Sequence, residues 1–331
     1  MADIMTTVPQ GLLSMDATEI HRVLPDLTLL HINGKRQRPL FVSCMLHGNE
    51  HSGFYVLKKL LETYGTKDWP RAVYWLFGNM TAAAQNKRHL DDQPDYNRIW
   101  KVGDDKRNTR ALDIISVLAA AKPFASLDIH NNTGRNPLYS IVRNLDQKNL
   151  RLAGMFSDLS MCFKEFVGSI TDHMSRLCPA ITIEAGQSRE EKGIDRVYEL
   201  IKTLLAGDHI PEKPITGRAL TILNAEGTLK INQSCSVGIG DEDADIVFEK
   251  DFDNHNFKIL PVGTVFGRSK NGICLSLKDQ DGRDRESEYF DYRDGKIIVR
   301  KAFVPGMITL DKSIIKSDCV CYVMHEICRQ S

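Results

Sequence analysis

The chain has 331 residues, of which 42% are hydrophobic and 26% charged, and its formal net charge is +0. This balance is ordinary for a globular protein and gives no electrostatic reason to expect nucleic acid or an anionic membrane as a partner. No apolar run approaches the length of a membrane span, and the N-terminus has no basic stretch followed by an apolar one, so we expect no secretory signal.

The first two-thirds of the chain alternates between short apolar runs and helical periodicity. A polar lead-in over residues 1–38 contains an amphipathic piece at 20–30 and a hairpin-turn signal at Asn33-Gly34. The predicted strands are Pro39–Leu46, Ala72–Phe77, Ala125–Ile129, Leu138–Val142 and Cys178–Ile183. The predicted helices are Gly53–Tyr64, Leu112–Ala121 and Ile194–Leu205. This alternation predicts an α/β fold with a mixed, mainly parallel sheet flanked by helices.

The texture changes after Pro211 and Pro214, where short β-prone segments are separated by turn signals. The segments are 219–223, 258–260, 273–277, 296–299 and 320–324, and the turns are Asn271-Gly272, Asp281-Gly282 and Asp294-Gly295. We therefore predict a catalytic domain over residues 1–210 and a smaller, mostly β domain over residues 211–331. A chain of this length also favours two domains over one.

The eight cysteines are scattered and form no C-x-x-C pair. This usage is typical of free thiols in a reducing compartment rather than of a disulfide framework. We therefore expect a cytoplasmic protein.

Four chemically suggestive residues fall where predicted strands end: His47, Asn79, His130 and Glu184. In open α/β sheets, ligands bind outside the carboxyl ends of the strands. The common placement of these four residues predicts that the functional site lies along that edge.

His47 and Glu50 can together hold one Zn²⁺ if a third ligand arrives from elsewhere in the chain. Gly48 would let the backbone turn directly after the strand. His130 follows a similar apolar run and is the candidate third ligand. Asp128 lies two residues before it and could orient a ligand imidazole, or it could simply bond to backbone amides.

The segment His47-Gly48-Asn49-Glu50-His51 also fits the inverted zincin pattern H-x-x-E-H. That pattern needs a helix through both histidines, so that residues four apart share one face. Here the first histidine follows a strand, and Gly48-Asn49 is a poor helix interior. The sequence favours His51 as a first-turn helix residue on the rim of the site.

Glu184 is the candidate general base. It follows the apolar run at 181–183, where a carboxylate requires either a cationic partner or a function. Beside Zn²⁺ it could accept a proton from water and return it to a leaving amine. The alternative is a structural ion pair with Arg189.

A polar stretch over residues 86–100 offers groups for a substrate. Asn97 and Arg98, anchored by Trp100, suit a planar carboxylate, because arginine provides a bidentate fork. Arg88 could polarise a carbonyl or hold a second acidic group. The alternative is that this loop is simply solvated.

These residues together resemble the succinylglutamate desuccinylase/aspartoacylase family, a branch of the zinc carboxypeptidase-like fold. The matching pieces, in the family's order, are His47-Gly48-Asn49-Glu50, Gly78-Asn79, Arg88, Asp95-Tyr96-Asn97-Arg98-Ile99-Trp100, Asp128-Ile129-His130 and Ile181-Thr182-Ile183-Glu184-Ala185-Gly186. They span the first two-thirds of the chain. The family also carries a C-terminal β domain, to which the stretch 260–266 is similar.

The resemblance implies a role for each matching residue. His47, Glu50 and His130 would bind one Zn²⁺ per chain, and Glu184 would be the general base. Arg88 would stabilise the scissile carbonyl oxygen, while Asn97 and Arg98 would hold the carboxylate of an amino acid. The implied activity is hydrolysis of the amide bond of an N-acylated amino acid.

The chain also departs from the family pattern. Met80 replaces a proline, and the segment between His130 and Glu184 is short. It has no clear counterpart of the arginine and tyrosine that aspartoacylases use for a side-chain carboxylate, and Tyr289 and Tyr292 are offset from the tyrosine of the C-terminal domain. Acetylaspartate and succinylglutamate are therefore not the substrates that the sequence favours.

Three hypotheses follow from the sequence. The first is a zinc-dependent deacylase acting on a small N-acyl amino acid. The second is a metallocarboxypeptidase that cleaves a short peptide at the same site, and the third is a zinc-binding protein without turnover. The sequence leaves the oligomeric state open, and a homo-oligomer is compatible with it.

Overall fold

The protein is described by a computed structural model that covers residues 4–103, 105–163, 168–211, 219–270, 272 and 274–330. The chain divides into two compact units. The first contains Met1–Asn131, Leu138–Thr221 and Arg329–Ser331, and the second contains Asn132–Pro137 and Ile222–Cys328. The boundary predicted between residues 210 and 211 adjoins residues 212–218, which lie outside the described residues, and it stays a prediction.

The first unit is built from alternating strands and helices. Its strands are β1 (Ile4–Met5), β2 (Thr28–Ile32), β3 (Gly34–Cys44), β4 (Trp69–Phe77), β5 (Ala125–Asn132), β6 (Tyr139–Val142), β7 (Leu159–Cys162) and β8 (Ala180–Gln187). Its helices are α1 (Ser52–Tyr64), α2 (Met80–Ala83), α3 (Lys106–Ala121), α4 (Gln147–Phe156), α5 (Ile170–Met174) and α6 (Glu191–Ala206). Short 3-10 helices at Leu12–Ser14 and Ile20–Arg22 precede β2.

These strands form one sheet in the order β1-β2-β4-β3-β5-β8-β6-β7. Strand β3 runs parallel to both β4 and β5, and β1–β2 and β6–β7 are also parallel pairs. The pairs β2–β4 and β6–β8 are antiparallel. The predicted mixed, mainly parallel sheet flanked by helices is therefore confirmed.

Helix packing explains why the central strands read as continuous apolar runs. On one face, Phe41 of β3 and Leu76 of β4 join a buried cluster with Ala111, Ile114 and Leu118 of α3. Helices α1 and α6 pack against each other, and they also contact β3 and β4 respectively. Strands covered on both faces have no solvent-facing positions that would require polar residues.

The hairpin predicted at Asn33-Gly34 is wrong. Strands β2 and β3 do not pair with each other, because each pairs with β4, on opposite edges of that strand. Gly34 is instead required by a close approach, since a Cβ at this position would lie 2.0 Å from the carbonyl carbon of Arg71. The glycine of the Asn33-Gly34 pair therefore serves the close packing of β3 against β4 and not a hairpin turn.

Replacing Gly34 by Ala should destabilise the protein by about 3 kcal/mol, because the added methyl group must displace the backbone of β4. Urea denaturation measures this change. Gly11→Ala is the matched control: Gly11 has a φ of 80°, but a Cβ there would meet only ordinary contacts at 3.9 Å. Its expected cost is about 1 kcal/mol, from the left-handed backbone alone. Equal effects of the two substitutions would contradict this explanation.

The second unit is rich in β-strands. They are β9 (Leu220–Ile231), β10 (Val237–Ile239), β11 (Ile246–Phe248), β12 (Val265–Ser269), β13 (Leu275–Asp279), β14 (Phe290–Arg293), β15 (Lys296–Val299), β16 (Val304–Gly306) and β17 (Cys321–Gln330). Its helices are α7 (Glu286–Tyr289) and α8 (Lys312–Ser317), with a 3-10 turn at Phe252–His255. A five-stranded sheet has the order β10-β11-β12-β15-β14, as expected for a smaller β part.

The turns and strands predicted for this unit differ in how well they match the structure. Asp294 and Gly295 join β14 to β15 with positive φ at both residues, which matches the twist of a two-residue hairpin loop. Asn271 lies outside the described residues. The predicted β-prone segment 258–260 contains no strand and contributes only a single bridge between Leu260 and Phe303.

Among the described residues, no helix combines the length and the apolar character that crossing a bilayer requires. The cysteines whose side chains are described are free thiols at positions 44, 162, 178, 235, 274, 319 and 321.

Candidate metal centre and active site

The turn after β3 places His47 and Glu50 at the carboxyl edge of the sheet. The left-handed residue of this turn is Met45, with a φ of 55°, and not Gly48 as the sequence suggested. Gly48 is needed for a different reason: a Cβ there would lie 2.3 Å from the backbone nitrogen of Ala83. The turn therefore packs directly on helix α2.

His47, Glu50 and His130 meet at one buried point. Glu50 Oε1 lies 2.8 Å from His47 Nδ1, and Glu50 Oε2 lies 2.7 Å from His130 Nδ1. One ligand atom from each residue lies within 4.8 Å of the others. Two imidazole nitrogens and a carboxylate oxygen are a donor set typical of catalytic zinc sites, so these residues fit a divalent metal.

A second carboxylate holds the far nitrogen of each imidazole. Asp95 Oδ1 lies 3.0 Å from His47 Nε2, and Asp128 Oδ2 lies 2.9 Å from His130 Nε2. Asp128 also accepts a hydrogen bond of 2.7 Å from Ser43 Oγ. Such partners fix the ring orientation and leave Nδ1 facing the metal position. The sequence argument offered this role for Asp128 but did not identify Asp95.

Contacts within this cluster shift the pKa values of Glu50 and His130. Burial alone would raise the pKa of Glu50, but the two imidazoles hold it well below its usual value. Burial alone would lower the pKa of His130, yet Asp128 and Glu50 raise it well above its usual value. The metal-free cluster therefore favours an ionised Glu50 and a protonated His130.

Glu184 is 4% exposed and projects from β8 near this cluster. Burial raises its pKa to about 8, with the carboxylates of Glu50 and Asp128 adding to the shift and His130 and Arg88 opposing it. The strands run further than predicted, because β8 continues to Gln187 and β5 to Asn132. Glu184 and His130 thus lie inside strand ends and not beyond them.

His51 does not fit the inverted zincin pattern, because α1 begins only at Ser52. His51 Nε2 lies 2.9 Å from the carbonyl oxygen of Gly48, and Arg189 Nε donates to His51 Nδ1 at 3.2 Å. Both ring nitrogens are thus engaged away from a metal. His51 is 2% exposed and directly precedes the first turn of α1, in which the sequence predicts it.

The loop after α2 brings three of the predicted substrate residues together. Arg88 Nη2 donates to Asp95 Oδ2 at 3.0 Å, and Asn97 Nδ2 lies 3.5 Å from His130 Nε2. Asn97 Oδ1 is buried without a hydrogen-bond partner. Arg98 Nη1 donates to the carbonyl oxygen of Asn97 at 2.9 Å. Arg88 and Asn97 thus adjoin the histidine cluster, with Arg98 beside them.

A family comparison covers this whole site. The sequence profile of the succinylglutamate desuccinylase/aspartoacylase catalytic domain matches residues 36–206, which is just over half of the chain. The chain belongs to this family. The resemblance inferred from the sequence is therefore confirmed, and the matched segment contains all seven predicted site residues.

Two solved structures illustrate the similarity of fold. A succinylglutamate desuccinylase/aspartoacylase from Rhodobacter sphaeroides is 15% identical, with a TM-score of 0.62 over 91% of this chain and 90% of that one. Murine aminoacylase 3 is 16% identical, with a TM-score of 0.57 over 88% of this chain and 96% of that one. At such identities the likeness establishes the shared fold alone. No curated protein sequence matches this chain.

Proposed function

We propose that this desuccinylase/aspartoacylase family member is a zinc-dependent hydrolase that cleaves the amide bond of an N-acylated amino acid. The observation that carries the proposal is the meeting of His47, Glu50 and His130 within 4.8 Å, beside the buried carboxyl group of Glu184. The fourth position of a three-ligand zinc site is open to water or substrate. The family assignment supports a small N-acyl amino acid as substrate.

His47, Glu50 and His130 would hold the zinc ion. When bound, the metal supplies positive charge that polarises an amide carbonyl, acidifies a water molecule and favours the ionised form of Glu184. Asp95 and Asp128 keep the two imidazoles oriented toward it.

Glu184 is placed to move the proton of the reaction. Its carboxylate accepts a proton from the attacking water and then gives it to the nitrogen of the leaving amine. The products are the free amino acid and the carboxylate of the acyl group. Burial of Glu184 supports this role, because it raises the pKa of the carboxyl group and so makes its carboxylate a stronger base.

Arg88, Asn97 and Arg98 would bind the substrate. Arg88 donates to the carbonyl oxygen as negative charge develops there. The unpartnered Oδ1 of Asn97 leaves a buried acceptor beside the metal ligands, which suits contact with a polar substrate group. Arg98 supplies a fork for the α-carboxylate, and this fixes the direction in which the substrate enters.

Replacing Arg98 by Ala should raise KM by about 10- to 100-fold, because a charge-assisted hydrogen bond contributes about 1.5–3 kcal/mol. The effect on kcat should be smaller, since the carboxylate is bound in the ground state as well. Steady-state kinetics measures the split. Arg98→Lys keeps the charge without the fork and should recover only part of the loss.

Arg176→Ala is the control for this prediction, since Arg176 is an exposed arginine whose partner, the buried Asp172, keeps a second ion pair with Arg143. It should leave KM unchanged. If Arg98→Ala lowered kcat and left KM unaltered, Arg98 would act on the transition state and not as a carboxylate clamp.

Metal analysis combined with a hydrolysis screen tests the function itself. We expect about one zinc per chain and release of free amino acid from at least one N-acyl amino acid. Cleavage of dipeptides alone would replace the proposal by a carboxypeptidase. Absence of hydrolysis, together with lower stability after zinc removal, would leave a binding protein without turnover.

A further inference from the structure

A hydrogen-bond chain links the N-terminal lead-in to the turn that carries two proposed metal ligands. Asp16 Oδ1 accepts from Arg189 Nη2 at 2.7 Å, and Arg189 Nε donates to His51 Nδ1 at 3.2 Å. His51 Nε2 lies 2.9 Å from the carbonyl oxygen of Gly48. Gly48 lies between the ligands His47 and Glu50, so the chain ends inside the metal-binding turn.

The partners of His51 determine its tautomer. A backbone carbonyl only accepts hydrogen bonds, so Nε2 must be protonated in order to donate one to the carbonyl oxygen of Gly48. A guanidinium only donates, so Nδ1 must be unprotonated where it faces Arg189. Without Arg189, a neutral His51 could place its proton on Nδ1 and lose the bond to the turn.

Arg189 adopts a backbone conformation that rarely suits a side chain. Its φ is 68°, in the left-handed region that favours glycine. Its backbone N–H donates to Ser52 Oγ at 3.3 Å, and its guanidinium stacks 5.6 Å from the ring centre of Tyr55. A non-glycine residue at such a position is a reason to look for a role of its side chain.

Asp16 anchors the end of this hydrogen-bond series that lies farthest from the metal-binding turn. It accepts hydrogen bonds from the backbone and hydroxyl group of Thr18, from Tyr55 Oη at 2.8 Å, and from Arg189. Asp16 precedes residue 36, where the match to the family domain begins. This contact therefore joins a residue outside the matched segment to residues within it.

We propose that Arg189 is a positioning residue: held by Asp16, it fixes the His51 tautomer and thereby the Gly48 carbonyl between the metal ligands. The inference rests on the proposed function in taking His47 and Glu50 as ligands. It goes further because it assigns the fixed conformation of the turn that carries His47 and Glu50 to Arg189, His51 and Asp16.

Replacing Arg189 by Ala should weaken Zn²⁺ binding by about tenfold. Groups that orient metal ligands directly change affinity by about 10- to 100-fold, and Arg189 acts one bond further away. Competition with a chromophoric zinc chelator measures the dissociation constant without any need for activity. An unchanged dissociation constant would overturn the proposal.

Arg36→Ala is the matched control. Arg36 pairs with Asp208 through its Nε, with side-chain exposures of 35% and 77%, and Arg189 pairs with Asp16 at 48% and 37%. Each substitution therefore removes one partly exposed ion pair, which contributes little to folding. Arg36→Ala should leave zinc affinity unchanged, and an equal loss in both variants would identify a general structural effect and overturn the proposal.

His51→Gln tests whether Arg189 acts through His51. The glutamine amide can donate toward Gly48 without any choice of tautomer. In the His51→Gln background, Arg189→Ala should therefore cause no further tenfold loss of zinc affinity. A loss equal to that in the wild-type background would separate Arg189 from His51 and overturn the proposal.

The tautomer itself can be read in the metal-free protein. The ¹⁵N shifts of His51 should report a protonated Nε2 in the wild type and a mixture of forms in Arg189→Ala. The same Nε2 tautomer in both proteins would overturn the proposal. This readout needs neither zinc nor turnover, so its failure is distinguishable from failure of the proposed hydrolase.

Discussion

Replacing Glu184 by Gln should lower kcat by about 10³-fold, because general acid–base catalysis contributes about 10²- to 10⁴-fold. Glutamine keeps the shape of the side chain but cannot accept the proton of water. Because Glu184 is not among the three clustered ligand residues, the zinc content should stay unchanged. The variant thus separates loss of the base from loss of the metal.

Single-turnover kinetics and metal analysis of the same preparation check this result. Glu190→Gln is the control, since Glu190 lies six residues further along the chain, is exposed and accepts a hydrogen bond from the backbone of Gln187. It should retain full activity. Wild-type turnover in Glu184→Gln would remove Glu184 from the mechanism, and loss of zinc would instead identify it as a ligand.

Replacing His130 by Ala should weaken zinc binding by at least about 10³-fold, since even groups outside the ligand set change affinity by about 10- to 100-fold. Turnover should disappear with the metal. Zinc at about 1,000 times its dissociation constant stabilises a wild-type protein by about 4 kcal/mol, and the variant should lose this effect. Thermal unfolding with and without zinc measures the difference.

His209→Ala is the control for this substitution, because His209 is an exposed histidine. It should keep both zinc affinity and the stabilisation by zinc. Tight zinc binding in His130→Ala would show that the cluster around Glu50 is not the metal site. The metal-free variant should also be less stable than wild type, since Glu50 and Asp128 lose a shared buried partner.

The features of the fold and site that can be predicted here depend on patterns within short stretches of the sequence. Apolar runs that end in a polar residue mark buried strands, and the rule that ligands bind at the carboxyl edge then groups His47, His130 and Glu184 without any coordinates. The family resemblance added the order of the motifs. The mixed sheet and the meeting of His47, Glu50 and His130 follow from that information.

The missing part depends on contacts between segments far apart in the chain. Asp95 is one acidic residue among several in its loop, and only the fold places it 3.0 Å from His47. Asn33-Gly34 has the composition of a hairpin turn, yet β4 inserts between the flanking strands. The hydrogen bonds that connect His51 to Arg189 and Asp16 could not be predicted, because these residues lie far from His51 in the sequence.

The two imidazoles and three carboxylates alternate in one row, Asp95–His47–Glu50–His130–Asp128, which is buried except at the half-buried Asp95. Each ring therefore sits between two anions, and the nitrogen facing Glu50 can hydrogen-bond only by carrying hydrogen. A metal ion that coordinates those nitrogens must displace their protons, so metal binding would exchange protons for the metal cation. Acidification would drive this exchange backward, so a metal ion bound to this row at neutral pH would be released in acid.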